Sequence, residues 1–153
     1  MSSVDVETEI VIERPRHVVA SFAADPDNTT AWYGNITSVE WRSPKPITVG
    51  SRIAFVARFL GRTLAYEYEI KELSEDERLV MSTTDGPLAM ETTYTWEDEP
   101  GGGTRMTLRN RGRAGGFTAI AVPLLERSMR RANRQDLVRL KGILESPAPA
   151  TDR

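Results

Sequence analysis

The 28-residue stretch from Phe117 to Leu144, FTAIAVPLLERSMRRANRQDLVRLKGIL, has a sustained helical period. At about 100° per residue, Val122, Leu125, Met129, Ala132, Leu140 and Ile143 fall on one arc, and Arg127, Arg130, Arg131, Arg134 and Lys141 fall on the opposite one. That division marks an amphipathic helix with one face on a core and the other in water. Pro123 removes a backbone donor and is expected to kink the first turns, which would accommodate Leu124 on the wrong side of an ideal wheel. Almost everything before this stretch has the period of strands, so the chain is constrained to wrap a sheet around one long helix.

Val4 to Glu13 alternates, with Val6, Thr8, Ile10 and Ile12 on one face and Glu7, Glu9 and Glu13 on the other, as in a half-buried strand. Pro15 suits the first turn of a short helix carrying Val18, Val19 and Phe22, which Asp25-Pro26 ends. Asp27 or Asn28 is placed to cap a second short helix reaching Trp32 and Tyr33. Strands are then expected over Ile36–Arg42, Arg52–Leu60, Thr63–Leu73, Arg78–Thr83, Leu88–Glu97 and Thr104–Arg111. Gly61-Arg62 reads as a two-residue hairpin with glycine in the first central position. Asp85-Gly86-Pro87 and Glu99-Pro100-Gly101-Gly102-Gly103 supply later turns. The fold class is therefore α+β: a curved seven-stranded antiparallel sheet gripping a long C-terminal helix, with two short helices after the first strand. One domain is expected over 4–145, with a disordered tail over 146–153.

Composition narrows the chemistry. With no cysteine and one histidine, neither a disulfide framework, a thiol nucleophile nor a transition-metal site is expected. His17 lies near the first short helix, far along the chain from the inner strand faces, and is expected on the surface. A formal net charge of −2 gives no pull toward nucleic acid or an anionic membrane. No apolar run approaches the roughly 20 residues needed to span a bilayer, and the start lacks the basic-then-apolar order of a secretory signal. The expectation is a cytoplasmic protein with no cofactor and no metal; a homodimer is left open.

The order β-α-α-β×6-α resembles the START-like, helix-grip superfamily of SRPBCC-type proteins. It includes polyketide cyclase/dehydrase-like proteins, birch-pollen-allergen-like proteins and lipid-transfer domains. The likeness is carried by VETEIVIERPRHVVASFAADPDNTTAWY, VGSRIAF, FLGRTLAYEYEI, GGGTRMTLRNRG and VPLLERSMRRANRQDLVRLKGILE, and covers about Val4 to Glu145. It implies an elongated, largely apolar cavity between sheet and long helix. Members of the superfamily include cyclases, carriers and sensors, so the fold does not by itself supply a reaction.

Alternation then gives the lining of such a cavity: Phe55, Tyr66, Tyr68, Met81, Met90, Thr92, Tyr94 and Met106 from the strands, and Phe117, Ile120, Leu124, Leu125 and Met129 from the helix. Asn110 points to the same side as a polar handle, or else bonds backbone at the strand end. Methionines adapt to irregular guests and tyrosines offer a ring with a polar tip, a combination that suits a hydrophobic ligand with few polar groups. Each of these side chains would equally well fill a packed core. Trp32 reads chiefly as an anchor for the helical clip, and Tyr33 beside it as part of a lip. Arg105, Arg109 and Arg111 face outward, where Glu67, Glu69 and Glu91 invite cross-strand ion pairs. The leading expectation is binding of a lipid-like or polyketide-like small molecule. The alternative is a polyketide cyclase/dehydratase-type reaction in the same cavity, with Tyr66, Tyr68 or Tyr94 as proton donor. A third reading docks a protein partner on the basic face of the helix.

Overall fold

The computed structural model of the chain describes residues 3–59, 61–85, 89–113 and 121–146. Strand β1 (Ser3–Ile12) is followed by helix α1 (Arg16–Ala23), a 3-10 turn (Pro26–Asn28) and helix α2 (Thr29–Trp32). Six strands come next: β2 (Ile36–Trp41), β3 (Arg52–Phe59), β4 (Arg62–Ser74), β5 (Arg78–Asp85), β6 (Ala89–Asp98) and β7 (Thr104–Arg113). Helix α3 (Val122–Glu145) closes the fold. The sheet has the order β1-β7-β6-β5-β4-β3-β2, with each neighbouring pair antiparallel. The register shifts at Ile36/Ser38, Glu67/Tyr68 and Ile70/Glu72 are bulge-like irregularities, of the kind that bend a strand and raise its local twist.

The alternation read along β1 is observed, with Val4, Val6, Thr8 and Ile12 buried. Local details differ. Phe59 pairs with Arg62, so Arg62 belongs to β4 rather than to the turn, and Gly61, at φ +77°, takes the position directly before that strand instead of the first central one. Side-chain capping before α2 falls to Asp25, whose Oδ1 accepts from the Asp27 N–H at 3.0 Å; Asn28 occupies the α2 cap position without a side-chain capping bond, its Nδ2 donating instead to the Phe22 carbonyl at 3.1 Å. Asp27 instead accepts from Trp41 Nε1 at 2.8 Å and Lys45 Nζ at 2.7 Å, tying the segment after β2 to the 3-10 turn. The outward arginines of β7 pair with β1 and the β6–β7 loop: Arg109 grips Asp5 through two bonds, and Arg105 reaches Glu9 and Glu99. Glu67 and Glu69 lie two or more strands away from β7 and pair with Arg52.

Helix α3 also departs from the expectation of a kink. Pro123 stands in its first turn, where the missing N–H has no intrahelical acceptor to lose, and Ala121 is the cap residue. Leu124 is consequently not turned inward and is 68% exposed. Expected positions Phe117 and Ile120 lie outside the described residues, as does the tail beyond Ser146. The buried stripe is Leu125, Asn133, Asp136, Leu137, Leu140 and Leu144, with Ile143 at its margin.

Two apolar clusters hold this helix. Its C-terminal half enters the main core through Leu137, Leu140 and Leu144, among Ile12, Val19, Trp32, Trp96, Met106 and Leu108. Its first turns join Val4, Leu125, Met90, Val122 and Met129 in a smaller cluster. Trp32 is fully buried and anchors the helical clip. Truncating Leu137 to Ala should cost about 2–5 kcal/mol because it removes transfer energy and leaves a hole. Leu124→Ala, at a surface position, should stay within about 0.5 kcal/mol of the parent. Urea unfolding of both variants checks the contrast, and a comparable loss at both would mean the helix is seated the other way.

Candidate functional site

Between the two clusters α3 presents Ala132, Asn133 and Asp136 to the sheet, and there the molecule is hollow. A cavity of about 170 Å³ lies under the helix, open to solvent on one side. An apolar hole of about 150 Å³ is large enough for a benzene-sized molecule, so this one exceeds a packing defect. Its walls come from Ile53, Phe55 and Ala57 of β3, Leu64, Tyr66, Tyr68 and Ile70 of β4, and Leu79 and Met81 of β5. Met90, Thr92 and Tyr94 of β6, Asn110 of β7 and Leu125, Met129, Ala132, Asn133 and Asp136 of α3 complete them on the helix side. Ala23, Ala24, Pro26, Thr29, Tyr33, Asn35, Ile36 and Ile47 form the rim contributed by the helical clip, the start of β2 and the β2–β3 connection.

A connected line of polar groups runs along the β6–β7–α3 wall, with the Tyr33 and Tyr68 phenols reaching it from the clip and β4. Asn133 Nδ2 donates to Asn110 Oδ1 at 2.6 Å, and Asn110 Nδ2 donates to Thr92 Oγ1 at 2.9 Å, a line that crosses from helix to sheet. Tyr68 has its hydroxyl beside Thr92. The Tyr33 and Tyr94 hydroxyls bond each other at 2.6 Å, and both rings pack against Trp32 in tilted geometry. Burial drives all three phenols toward the neutral form. Tyr68 is pushed up to about 12, and Tyr33 and Tyr94 are also raised, desolvation being the first cause in each.

Asp136 fastens the rim to the helix. Its Oδ1 accepts from the Gly34 N–H at 2.9 Å and from Arg139 Nη1 at 3.2 Å, while the same Nη1 donates to the Trp32 carbonyl at 2.8 Å. The Asp136 side chain is 5% exposed, and its pKa is raised because desolvation outweighs the Gly34 and Arg139 bonds that favour the charged form. Gly112 has a packing role: a Cβ there would collide with the Ala89 carbonyl and with the Met90 sulfur, so the missing side chain lets Met90 lie across β7 at the cavity wall.

Of the residues expected to line a cavity, Phe55, Tyr66, Tyr68, Met81, Met90, Thr92, Tyr94, Asn110, Leu125 and Met129 come together around it. Met106 does not. It is fully buried in the main core, opposite Trp96, where the C-terminal half of α3 closes against the sheet. Leu124 does not either, for the reason given above. Sequence reasoning missed Asn133 and Asp136. The available signal was that both share the stripe of Leu137 and Leu140 at helical spacing, two polar groups in an otherwise apolar face. His17 is exposed, as expected.

Residues 3–145 match the model of the family described as polyketide cyclase / dehydrase and lipid transport. The chain belongs to this family. No curated protein matches the sequence. Among solved structures, the TTHA0849 protein of Thermus thermophilus superposes with a TM-score of 0.80 at 20% identity, covering 92% of this chain and 97% of that one. The ZhuI aromatase/cyclase of Streptomyces sp. R1128 gives 0.80 at 16% identity over 98% of each chain. A START superfamily protein of Mycobacterium smegmatis gives 0.79 at 10% identity, covering 92% and 97%. These likenesses establish the helix-grip fold. Among the described residues, no helix of this polyketide cyclase / dehydrase and lipid transport family member is long and apolar enough to cross a membrane.

Two outcomes follow for this family member. Replacing Tyr33 or Tyr94 singly by Phe leaves the other hydroxyl without its partner and should cost about 1–3 kcal/mol. The double replacement should cost clearly less than the sum, a coupling that a double-mutant cycle in urea reads directly. For Asp136, a folded-state pKa above the unfolded one means the native state holds the proton more tightly. The contribution of that proton is complete below the unfolded pKa and is lost as pH rises through the folded pKa. The stability of the parent relative to Asp136→Asn should therefore fall between about pH 3 and neutrality; a rise over that interval would contradict the desolvated carboxyl.

Proposed function

We propose that the protein binds a hydrophobic small molecule, lipid-like or polyketide-like, in the cavity between the sheet and α3, as one domain over residues 4–145. The observation that carries this reading is the combination of an open hollow, mostly apolar walls and a hydrogen-bonded line of Asn133, Asn110 and Thr92 along the β6–β7–α3 side, which the Tyr68 hydroxyl joins from β4. Such a division orients a guest that is mostly apolar, because its hydrocarbon part fills the β3–β5 side while a polar atom meets the β6–β7–α3 side. Phe55, Tyr66, Met81, Met90, Leu125 and Met129 would supply the apolar contact, and Tyr68, Thr92, Tyr94 and Asn110 the polar one. Membership of a family described by cyclisation, dehydration and lipid transport fits such a ligand.

The test is native mass spectrometry of the protein purified from its own source, beside Ala132→Phe. A phenyl ring at 132 projects from the helix into the hollow. A small molecule should co-purify with the parent and be absent from the variant, and a ligand held at about 100 times its Kd should add about 2.7 kcal/mol to stability. A parent free of any ligand and unaffected by added apolar compounds would count against the reading.

A second reading, turnover of a polyketide-like chain in the same cavity, is favoured by Asp136, a carboxyl of raised pKa lining a hollow beside neutral phenols. The two readings separate on Tyr68→Phe and Tyr94→Phe: a carrier keeps most of its affinity, whereas an enzyme that uses one of these phenols binds and no longer forms product.

A further inference from the structure

The charge around the hollow is one-sided. Asp136 contributes a carboxyl to its wall, and among the described lining residues there is no lysine, arginine or histidine. Outside the described residues the sequence has no cationic side chain at positions 60, 86–88 or 114–120, which read Leu, Gly-Pro-Leu and AGGFTAI, and one, Arg153, at the end of 147–153. The nearest cation in the bonding pattern, Arg139, does not line the cavity: it is 45% exposed, and its Nη1 is committed to the Trp32 carbonyl and to Asp136. Asn133 and Asn110 each give one amide N–H to the line that ends at Thr92, so the donors left on the wall are neutral N–H and O–H groups that carry no charge to offset an anion's.

The geometry points to a charge filter, resting on the binding function proposed above: the cavity admits uncharged hydrophobic molecules bearing a carbonyl, hydroxyl or amine, and rejects those bearing a carboxylate, sulfonate or phosphate. An anion entering this hollow leaves its hydration shell and meets no cation among the described lining residues, which is the costly way to bury a charge. Ionised, Asp136 adds repulsion; protonated, it still supplies no positive charge. A neutral guest has no such penalty, and hydroxyls on the wall offer it hydrogen bonds. The substrate class is thus narrowed from any hydrophobic compound to neutral ones. Free fatty acids fall outside it, whereas ketones, alcohols and phenols fall within.

A matched pair of dyes reads this directly. N-phenyl-1-naphthylamine and 8-anilinonaphthalene-1-sulfonate share one skeleton and differ by the sulfonate. Fluorescence titration of the full chain near neutral pH should give the neutral dye a Kd lower by about tenfold or more. Because the sulfonate dye is also the more water-loving, the decisive reading is how the ratio moves. Met129→Lys places a cation on the wall and should shrink the ratio by about tenfold, and Asp136→Asn should shrink it by a smaller factor. If the sulfonate dye binds the parent as tightly as the neutral one, or if Met129→Lys leaves the ratio unchanged, the charge filter is overturned while binding in the cavity stands. If neither dye binds the parent and neither raises its Tm, the filter and the proposed binding function fall together.

Discussion

Everything in this molecule depends on how α3 is pinned at its two ends and held off the sheet in between. The C-terminal half is sealed by Leu137, Leu140 and Leu144 against Ile12, Met106, Leu108 and Trp96, and the N-terminal turns by Leu125 against Val4. Between them the helix carries a small residue, Ala132, and two polar ones, Asn133 and Asp136. Those side chains cannot fill the space that leucines would, and the polar pair has its own claims on backbone and side-chain partners. A sheet bent by bulges at Glu67/Tyr68 and Ile70/Glu72 cannot close up under a rod so anchored. The hollow is thus a consequence of where the apolar contacts stop.

The polar groups of that middle section are tied down in two directions. Asn133 ties the helix to the sheet through Asn110 and Thr92. Asp136 ties it to the clip through Gly34, with Arg139 holding the Trp32 carbonyl from the solvent side. Each hydrogen bond satisfies a group whose burial would otherwise be costly. The same bonds set the shape of the rim, since Tyr33 and Asn35 flank Gly34. Packing and site architecture are therefore not separable here: a change at Asp136 touches the fold through Gly34 and the cavity through its carboxyl.

Much of this was legible in the residues. Period-two alternation over β1, β3, β4 and β6 placed the inward faces correctly, because one face of each strand is apolar and a one-residue slip would reverse it. Turn residues gave the hairpin spacing, although Gly61 fell one position from where it was expected, since loop register depends on which pairs form across the sheet. What alternation lacks is depth. Met106 and Asn110 share a face of β7, yet the first lies in the sealed core and the second under the hollow, a difference set by which part of α3 stands above each. Leu124 failed for a related reason: a proline in a first turn does not bend a helix, so nothing turned that side chain inward. Asn133 and Asp136 were missed because polarity on a helix was equated with its solvent face.

The central claim is that an accommodating hollow exists beneath the middle of α3. Xenon is apolar, carries no charge and occupies dry cavities without needing any polar partner, so diffraction from crystals held under xenon pressure tests the space itself, independently of ligand identity. The account predicts bound xenon amid Tyr68, Met81 and Ala132 with the surrounding side chains unmoved. A crystal in which Asn133 and the β4–β5 wall have closed onto one another, leaving no xenon there, would contradict it.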